Sequence, residues 1–228
     1  MEASYVDLAD ATHLEFDYMR WLRIVLRAAG ARRVLHIGGG ACALARALAA
    51  ADPGGRQEVC EVDADVLAVA REHLGLRRTP GLRVRHVEGR AHLAAQPDHS
   101  WDAIVIDAFV GARVPKRLIT VEAMIDAARV APLTLVNVVD NRSANDVRAV
   151  ASAVALAYPL VWTVGQRAGN AIVAGCATSH ASNLSRIASR AAADPSPARL
   201  TTPAQVELKI ASTPPLRDAT SDQRELRI

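Results

Sequence analysis

"RRVLHIGGGACALARALAA", Arg32 to Ala50, is the stretch on which the reading of the fold turns. A strand-like run, "RVLHI", leads into Gly38, Gly39 and Gly40, and an alanine-rich helical segment follows at once. Glycines at a strand-to-helix junction let the backbone approach a ligand closely, with amides at the helix start free to donate hydrogen bonds. The stretch therefore predicts a nucleotide-like ligand held by Gly38, Gly39 and Gly40 at the carboxyl end of a parallel strand.

The sequence on either side fits that frame. His13 to Ala29 sets Leu14, Tyr18, Trp21, Leu22, Val25 and Ala28 on one helical face and Arg20, Arg23 and Arg27 on another, a helix stopped near Gly30. Downstream, strand and helix alternate. "QEVCEVD" is followed by "ADVLAVAREHLGL", "LRVRHVE" by "RAHLAA", and "DAIVID" (Asp102–Asp107) is a short apolar run of the kind buried in parallel sheets. Thr120 can cap a helix over Val121–Val130 with Glu122 in its first turn, "LTLVNVV" is a fifth strand, and Ser143 opens a helix stopped by Pro159. The rhythm then breaks. "LVWTV" and "NAIVAGC" are separated by "GQRAG", too short for a crossover helix, so these strands must be antiparallel. A helix from about His180 to Ala193 precedes a Pro- and Thr-rich tail. The expected fold is α/β: a doubly wound, mostly parallel seven-stranded sheet of the class I S-adenosylmethionine-dependent methyltransferase type, with a closing antiparallel strand. The expected organisation is an N-terminal segment and helix over 1–30, a Rossmann-like adenosyl-sulfonium-binding domain over 31–195, and a partly ordered tail over 196–228.

The totals narrow the class. A chain of 228 residues, 50% hydrophobic, buries one ordinary core. Its net charge of +3 is dispersed, which argues against nucleic acid. No run reaches the roughly 18 apolar residues a membrane span needs. "MEASYVDLAD" carries acids where a signal peptide would carry positive charge, so a cytoplasmic protein is expected. Cys42, Cys60 and Cys176 form no CxxC pair and read as buried free thiols, the histidines show no metal-ligand spacing, and no GxSxG turn is present.

Carboxylates mark the rim of the expected sheet. Glu61 ends the second strand about 20 residues after the glycines, the spacing of an acid that accepts from ribose hydroxyls. Glu88 ends the third strand, within reach of an adenine amino group, although taken alone it reads better as a helix-capping acid. Asp107 ends the fourth, and an acid closing a buried apolar strand must be solvated in a cleft or paired. His36 and His86 lie within strands and read as core or rim residues.

Together these motifs resemble the spermidine synthase family of polyamine aminopropyltransferases, especially its actinobacterial spermidine-synthase-like branch. The resemblance runs from "SYVDLADATHLEFDYMR" through "RVLHIGGGACALAR", "EVDAD", "RVRHVEGRAHL" and "WDAIVIDAFVGARVP" to "NVVDNRSANDVRAVASAV", "GNAIVAG" and "AAADPSPARL". It implies aminopropyl transfer from decarboxylated S-adenosylmethionine to a small amine, in a homodimer and without a metal. It implies that Gly38, Gly39 and Gly40 open the family's Gly-Gly-Gly-Asp-Gly-Gly turn, that Glu61 binds ribose, that Glu88 replaces an adenine-binding Asp, and that Asp107 is the catalytic acid of the family's gate. Tyr5 and Tyr18 fall in the segment that supplies part of the acceptor site.

The chain also departs from the family. Ala41 stands where the turn carries the Asp expected to bind the donor's amine, and Val110 stands where the gate carries its second Asp. Each lost charged partner costs about 1.5–3 kcal/mol, which makes an ordinary diamine a poor acceptor. Arg113, Lys116 and Arg117 give the gate loop a basic character that suits an acidic acceptor, or simply a solvated surface. Three functions stay open: an aminopropyltransferase-like enzyme, a methyltransferase using intact S-adenosylmethionine, and a degenerate nucleoside-binding dimer subunit. A nicotinamide dehydrogenase is disfavoured by the final antiparallel pair.

Overall fold

In the computed structural model, residues 4–76, 79–111, 113–140 and 144–218 are described. Helix α1 (Asp17–Ala29) buries Trp21, Leu22, Val25 and Leu26 and ends at Gly30, whose left-handed backbone (φ 69°) returns its N–H to the last turn. Then come β1 (Arg33–Ile37), α2 (Ala43–Ala51), β2 (Arg56–Glu61), α3 (Ala64–His73), β3 (Leu82–His86), α4 (Gly89–Ala94) and β4 (Ala103–Ile106). Thr120 caps α5 (Val121–Val130), its hydroxyl accepting from the Ala123 amide at 3.2 Å. The chain continues with β5 (Leu133–Asp140), α6 (Asn145–Val154), β6 (Leu160–Gly165), β7 (Gly169–Cys176), α7 (Leu184–Ala192), β8 (Arg199–Thr201) and α8 (Pro203–Ile210). Ser143, expected to open α6, and the tail beyond 218 lie outside the described residues.

The strands form one sheet in the order β3-β2-β1-β4-β5-β7-β6-β8. The first five are parallel, and β7, β6 and β8 add antiparallel pairs. The sheet has eight strands rather than the expected seven. The additional strand comes from the Pro-rich tail, where Arg199–Thr201 pairs with the free edge of β6. Three residues are too few to show alternation, and the partner edge lies more than thirty positions back along the chain. Beyond it, α8 closes the edge on a Thr202–Gln205 capping box. The helix expected from His180 begins at Leu184, after a 3-10 segment over Thr178–Asn183.

Both faces of the sheet are covered. On one, Trp21, Leu22 and Leu26 of α1 pack with Val105, Leu135, Trp162 and Ile172. On the other, Ile104, Ile106, Val136 and Val173 meet Met124, Ala127 and Val154 from α5 and α6. Strand order reverses between β1 and β4, where doubly wound sheets open a crevice at the strands' carboxyl ends.

Candidate active site

Gly38 follows β1 and Asp107 follows β4, so the two meet at that reversal. A Cβ on Gly38 would stand 2.5 Å from the Asp107 carbonyl oxygen and 2.7 Å from the Ala108 Cα, and the residue's φ is +77°. Only glycine satisfies both the contact and the left-handed backbone. Gly39 lies against Val59, where a Cβ would come within 2.6 Å of Cγ1. The turn then enters α2 through Cys42, also left-handed (φ 61°) and without a side-chain cap.

Unpartnered amides are expected at such a turn, and here they are all engaged. Glu61 Oε2 accepts from the amides of Gly40 (3.0 Å) and Gly39 (3.3 Å). Its Oε1 accepts from Val62 (2.9 Å) and Asp63 (3.0 Å). The Ala41 amide donates to Ser4 Oγ at 3.2 Å, and Ser4 also fills the space where a Cβ on Gly40 would go. Sequence reasoning missed Ser4, because nothing local ties it to a turn 37 residues away.

Asp107 is half-buried and holds two neutral partners. Asn137 Nδ2 donates to Asp107 Oδ1 at 2.8 Å, and the Tyr18 phenol stands beside the same carboxylate and acts on its charge. Asn170 Nδ2 in turn donates to Asn137 Oδ1 at 3.0 Å. Burial pushes the Asp107 carboxyl above its ordinary value against the opposing pull of Asn137 and Tyr18. The same burial, with the neighbouring Asp107 charge, pushes the Tyr18 phenol up, so it stays protonated beside the carboxylate. Asn137 and Asn170 were not expected. The readable signal for Asn137 was a lone amide inside the apolar run "LTLVNVV", since a buried polar group must find a partner.

The two tyrosines separate. Tyr18 reaches Asp107 and stacks on Phe16, with ring centroids 6.0 Å apart, whereas Tyr5 is 43% exposed and packs edge-on against His13. Glu88 is the N-cap of α4, accepting from the amides of Arg90 (3.0 Å) and Ala91 (2.7 Å), as its sequence position alone suggests. Arg117 Nε lies 3.3 Å from Glu88 and so ties the loop after β4 to the end of β3. Burial works against the Glu88 charge, but the two amides and Arg117 prevail and lower its pKa. Arg113 is exposed, on a tight turn in which Val110 and Arg113 bridge each other.

His36 is buried against Gln57 (2.9 Å), and burial pushes its pKa down to about 4, so it is neutral near pH 7. His86 contacts the Val62 carbonyl at 3.0 Å. Burial pushes the Cys42 and Cys60 thiols up to about 12, and all three cysteines are free and buried. Among the described residues no three His, Cys, Asp or Glu side chains gather as a metal-holding group. No helix among them is long and apolar enough to cross a membrane. A groove of about 1240 Å³ lies elsewhere, among α6, the β6–β7 hairpin and α8, and contains none of Gly38, Glu61 or Asp107. The placement of donors and carboxylates at the strand ends, rather than volume, locates the site.

The architecture is that of the class I S-adenosylmethionine-dependent methyltransferases. Human methyltransferase-like protein 13, solved in complex with SAH, is similar at TM-score 0.58 and 18% identity, over 75% of this chain and 90% of that one. Within this architecture the chain is spermidine-synthase-like. A probable spermidine synthase from Corynebacterium glutamicum matches 91% of it, and 82% of its own length, at 27% identity and TM-score 0.81. A spermidine synthase from Thermotoga maritima matches 71% of this chain and 60% of its own at 17% identity and TM-score 0.59. No protein-family model and no curated protein sequence matches the chain.

Proposed function

We propose that the chain is a transferase that binds an adenosyl sulfonium at the glycine turn and passes a sulfonium-borne group to a nucleophile, with aminopropyl transfer to a small amine as its default reaction. The observation that carries this reading is the Glu61 carboxylate lying across the Gly39 and Gly40 amides. A pyrophosphate needs those N–H groups and would meet a negative charge instead, which disfavours a dinucleotide. A nucleoside whose hydroxyls donate to Glu61, and whose cationic sulfur sits on the Asp107 side, suits the same groups. A solved spermidine synthase bound to the transition-state analogue AdoDATO, at 18% identity and TM-score 0.61 over 71% of this chain and 61% of its own, shares this fold.

In the proposed reaction the amine nitrogen attacks the carbon bonded to sulfur. The C–S bond breaks with its electron pair going to sulfur, leaving a neutral thioether. The amine must first lose the proton it carries at neutral pH, and Asp107 accepts it. A carboxyl whose pKa is raised by burial is the better proton acceptor for that step. Placing the two reactants side by side supplies much of the remaining rate. Gly38, Gly39, Gly40, Glu61 and Glu88 are assigned to the adenosyl ligand, and Tyr18 and Asp107 to the acceptor side. Tyr5 and Arg113 are the weaker acceptor candidates. The reading places the protein in the cytoplasm as a homodimer acting on a small molecule.

One observation favours methyl transfer as a second reading. The side chain at position 41 is an uncharged alanine, so that position adds no negative charge to repel the carboxylate of intact S-adenosylmethionine. Calorimetric titration with S-adenosylmethionine, its decarboxylated form, methylthioadenosine and NAD tests both readings. Preference for the decarboxylated donor supports aminopropyl transfer, and preference for the intact donor supports methyl transfer. Binding of NAD alone, or of none of the four, refutes the proposal.

A further inference from the structure

We propose that Asn137, backed by Asn170, is the positioning residue for Asp107: the two amides fix where its carboxylate points while leaving it charged. The inference deepens the functional reading and rests on it only in giving Asp107 a proton to accept.

Asn137 sits on β5, fully buried, on a strand whose neighbouring residues are apolar. Placing an amide there is costly unless all of its hydrogen-bonding groups are used. Its Nδ2 donates to Asp107 Oδ1 at 2.8 Å. Its Oδ1 accepts from Asn170 Nδ2 at 3.0 Å. The second bond supports the first. If the Asn137 amide turned over, it would present oxygen to a carboxylate oxygen, and Asn170 would then face an NH₂ group it cannot bond as a donor. Asp107, which as a carboxylate only accepts, sets that orientation, and the bond from Asn170 supports it.

The sheet places these groups together. Asn170 pairs with Val139 across β5 and β7, one diagonal step from Asn137 and on the same face. On that face α1 supplies Tyr18. The titratable groups around Asp107 are Tyr18 from α1, with Asp17 beside it, His36 from β1, and Cys42 ahead of α2. His36, Cys42 and Asp107 line one small cavity of about 10 Å³. His36 is neutral and the Cys42 thiol is protonated near pH 7, so no cation among them neutralises Asp107. A lysine or arginine in place of Asn137 would hold the carboxylate as firmly but cancel its charge. Two neutral amides hold it without doing so.

The test reads Asp107 directly. Carbon-13 carboxyl NMR titration of the ligand-free chain, with the Asp107 signal identified by its loss in Asp107→Asn, gives its midpoint in wild type, Asn137→Leu and Asn170→Ala. Removing the Asn137 donor should move that midpoint up by about one pH unit. Asn170→Ala should move it the same way by less, because it acts through Asn137. If Asn137→Leu does not fold, Asn170→Ala, at a half-buried strand end, carries the test. With the donor that wild type accepts in calorimetry, both variants should lower kcat while leaving the donor KM unchanged. An unchanged Asp107 midpoint in every folded variant, with only thermal stability reduced, overturns the proposal. The titration needs no ligand, so failure of wild type to bind any adenosyl compound would refute the functional reading and leave this result readable.

Discussion

Exchanging Glu61 for Gln changes the side chain's volume little but removes a charge that four backbone amides share. The Gln amide has one oxygen, so whichever way it turns, its NH₂ faces two N–H donors. The less costly orientation gives the oxygen to Gly39 and Gly40 and the NH₂ to Val62 and Asp63, since Val62 is 61% exposed and water can serve the orphaned amides there. The two retained bonds fall from charge-assisted to neutral strength, roughly half, and water takes up the exposed pair at little net cost. The sum is about 2 kcal/mol, at the low end for lost carboxylate–amide bonds. In a chain of this size that lowers Tm by about 4–8 °C. Thermal unfolding monitored by circular dichroism, with and without S-adenosylhomocysteine, checks both halves of the expectation. Glu61→Gln should melt earlier and lose most of the ligand-induced stabilisation. A variant that melts within a degree of wild type and keeps that stabilisation would refute both the turn-building role of Glu61 and its assignment to ribose.

Asp107→Asn should abolish transfer while keeping affinity for methylthioadenosine within a few-fold, as measured by single-turnover assay and calorimetry. Because the folded chain holds the Asp107 carboxyl above its ordinary 3.8, wild type loses stability as pH rises through that raised value. Asp107→Asn should therefore melt no lower than wild type at neutral pH, with any advantage vanishing in acid, and a marked loss at neutral pH would contradict this. Gly38→Ala combines a left-handed backbone with a 2.5 Å clash against the Asp107 carbonyl, so urea unfolding should show a loss of at least about 2 kcal/mol together with lost ligand binding. Glu58, 1% exposed, is bonded by Arg85 (2.8 Å), His92 (2.9 Å) and Arg56 (3.2 Å). Glu58→Gln should cost about 2–4 kcal/mol, below the full penalty for breaking a buried pair because both arginines stay partly in water. Burial opposes the Glu58 charge, but its three partners hold its pKa below the ordinary 4.5, so the difference should narrow as pH falls through that region. Equal urea midpoints at neutral pH would refute it.

Where local chemistry dictates conformation, the sequence was sufficient. β1 occupies the residues of "RVLHI", Thr120 caps α5, and Glu88 caps α4, because strand composition and N-cap hydrogen bonds are decided within a few residues. The reversal point was legible too, since alternation and the glycine turn together imply it. Long-range packing was not. β8 exists only because β6 offers an unpaired edge, and Ser4 reaches Ala41 only because the N-terminal segment folds over the turn. The choice between Tyr5 and Tyr18 likewise depended on where α1 settles on the sheet, which periodicity alone does not determine. Glu61 was singled out from its spacing, but its grip on the turn amides was not foreseen, because those partners are backbone groups that carry no sequence signal.

The change of direction at β7 has a consequence for how this site could diversify. In a wholly parallel sheet every strand delivers its last residues to the crevice, and strand ends lead into long crossovers that also build the core. Because β7 runs backward, it delivers its first residues instead, and Asn170 arrives directly from a short hairpin. The loop at 166–168 is exposed. Its length and composition can vary without disturbing a buried helix, yet it ends one residue before Asn170, whose amide bonds the Asn137 that donates to Asp107. The glycine turn, built between β1 and α2 and held by Glu61 of β2, has no such freedom. Chains built on this framework can keep the glycine turn constant and vary the Asp107 side through a single surface turn.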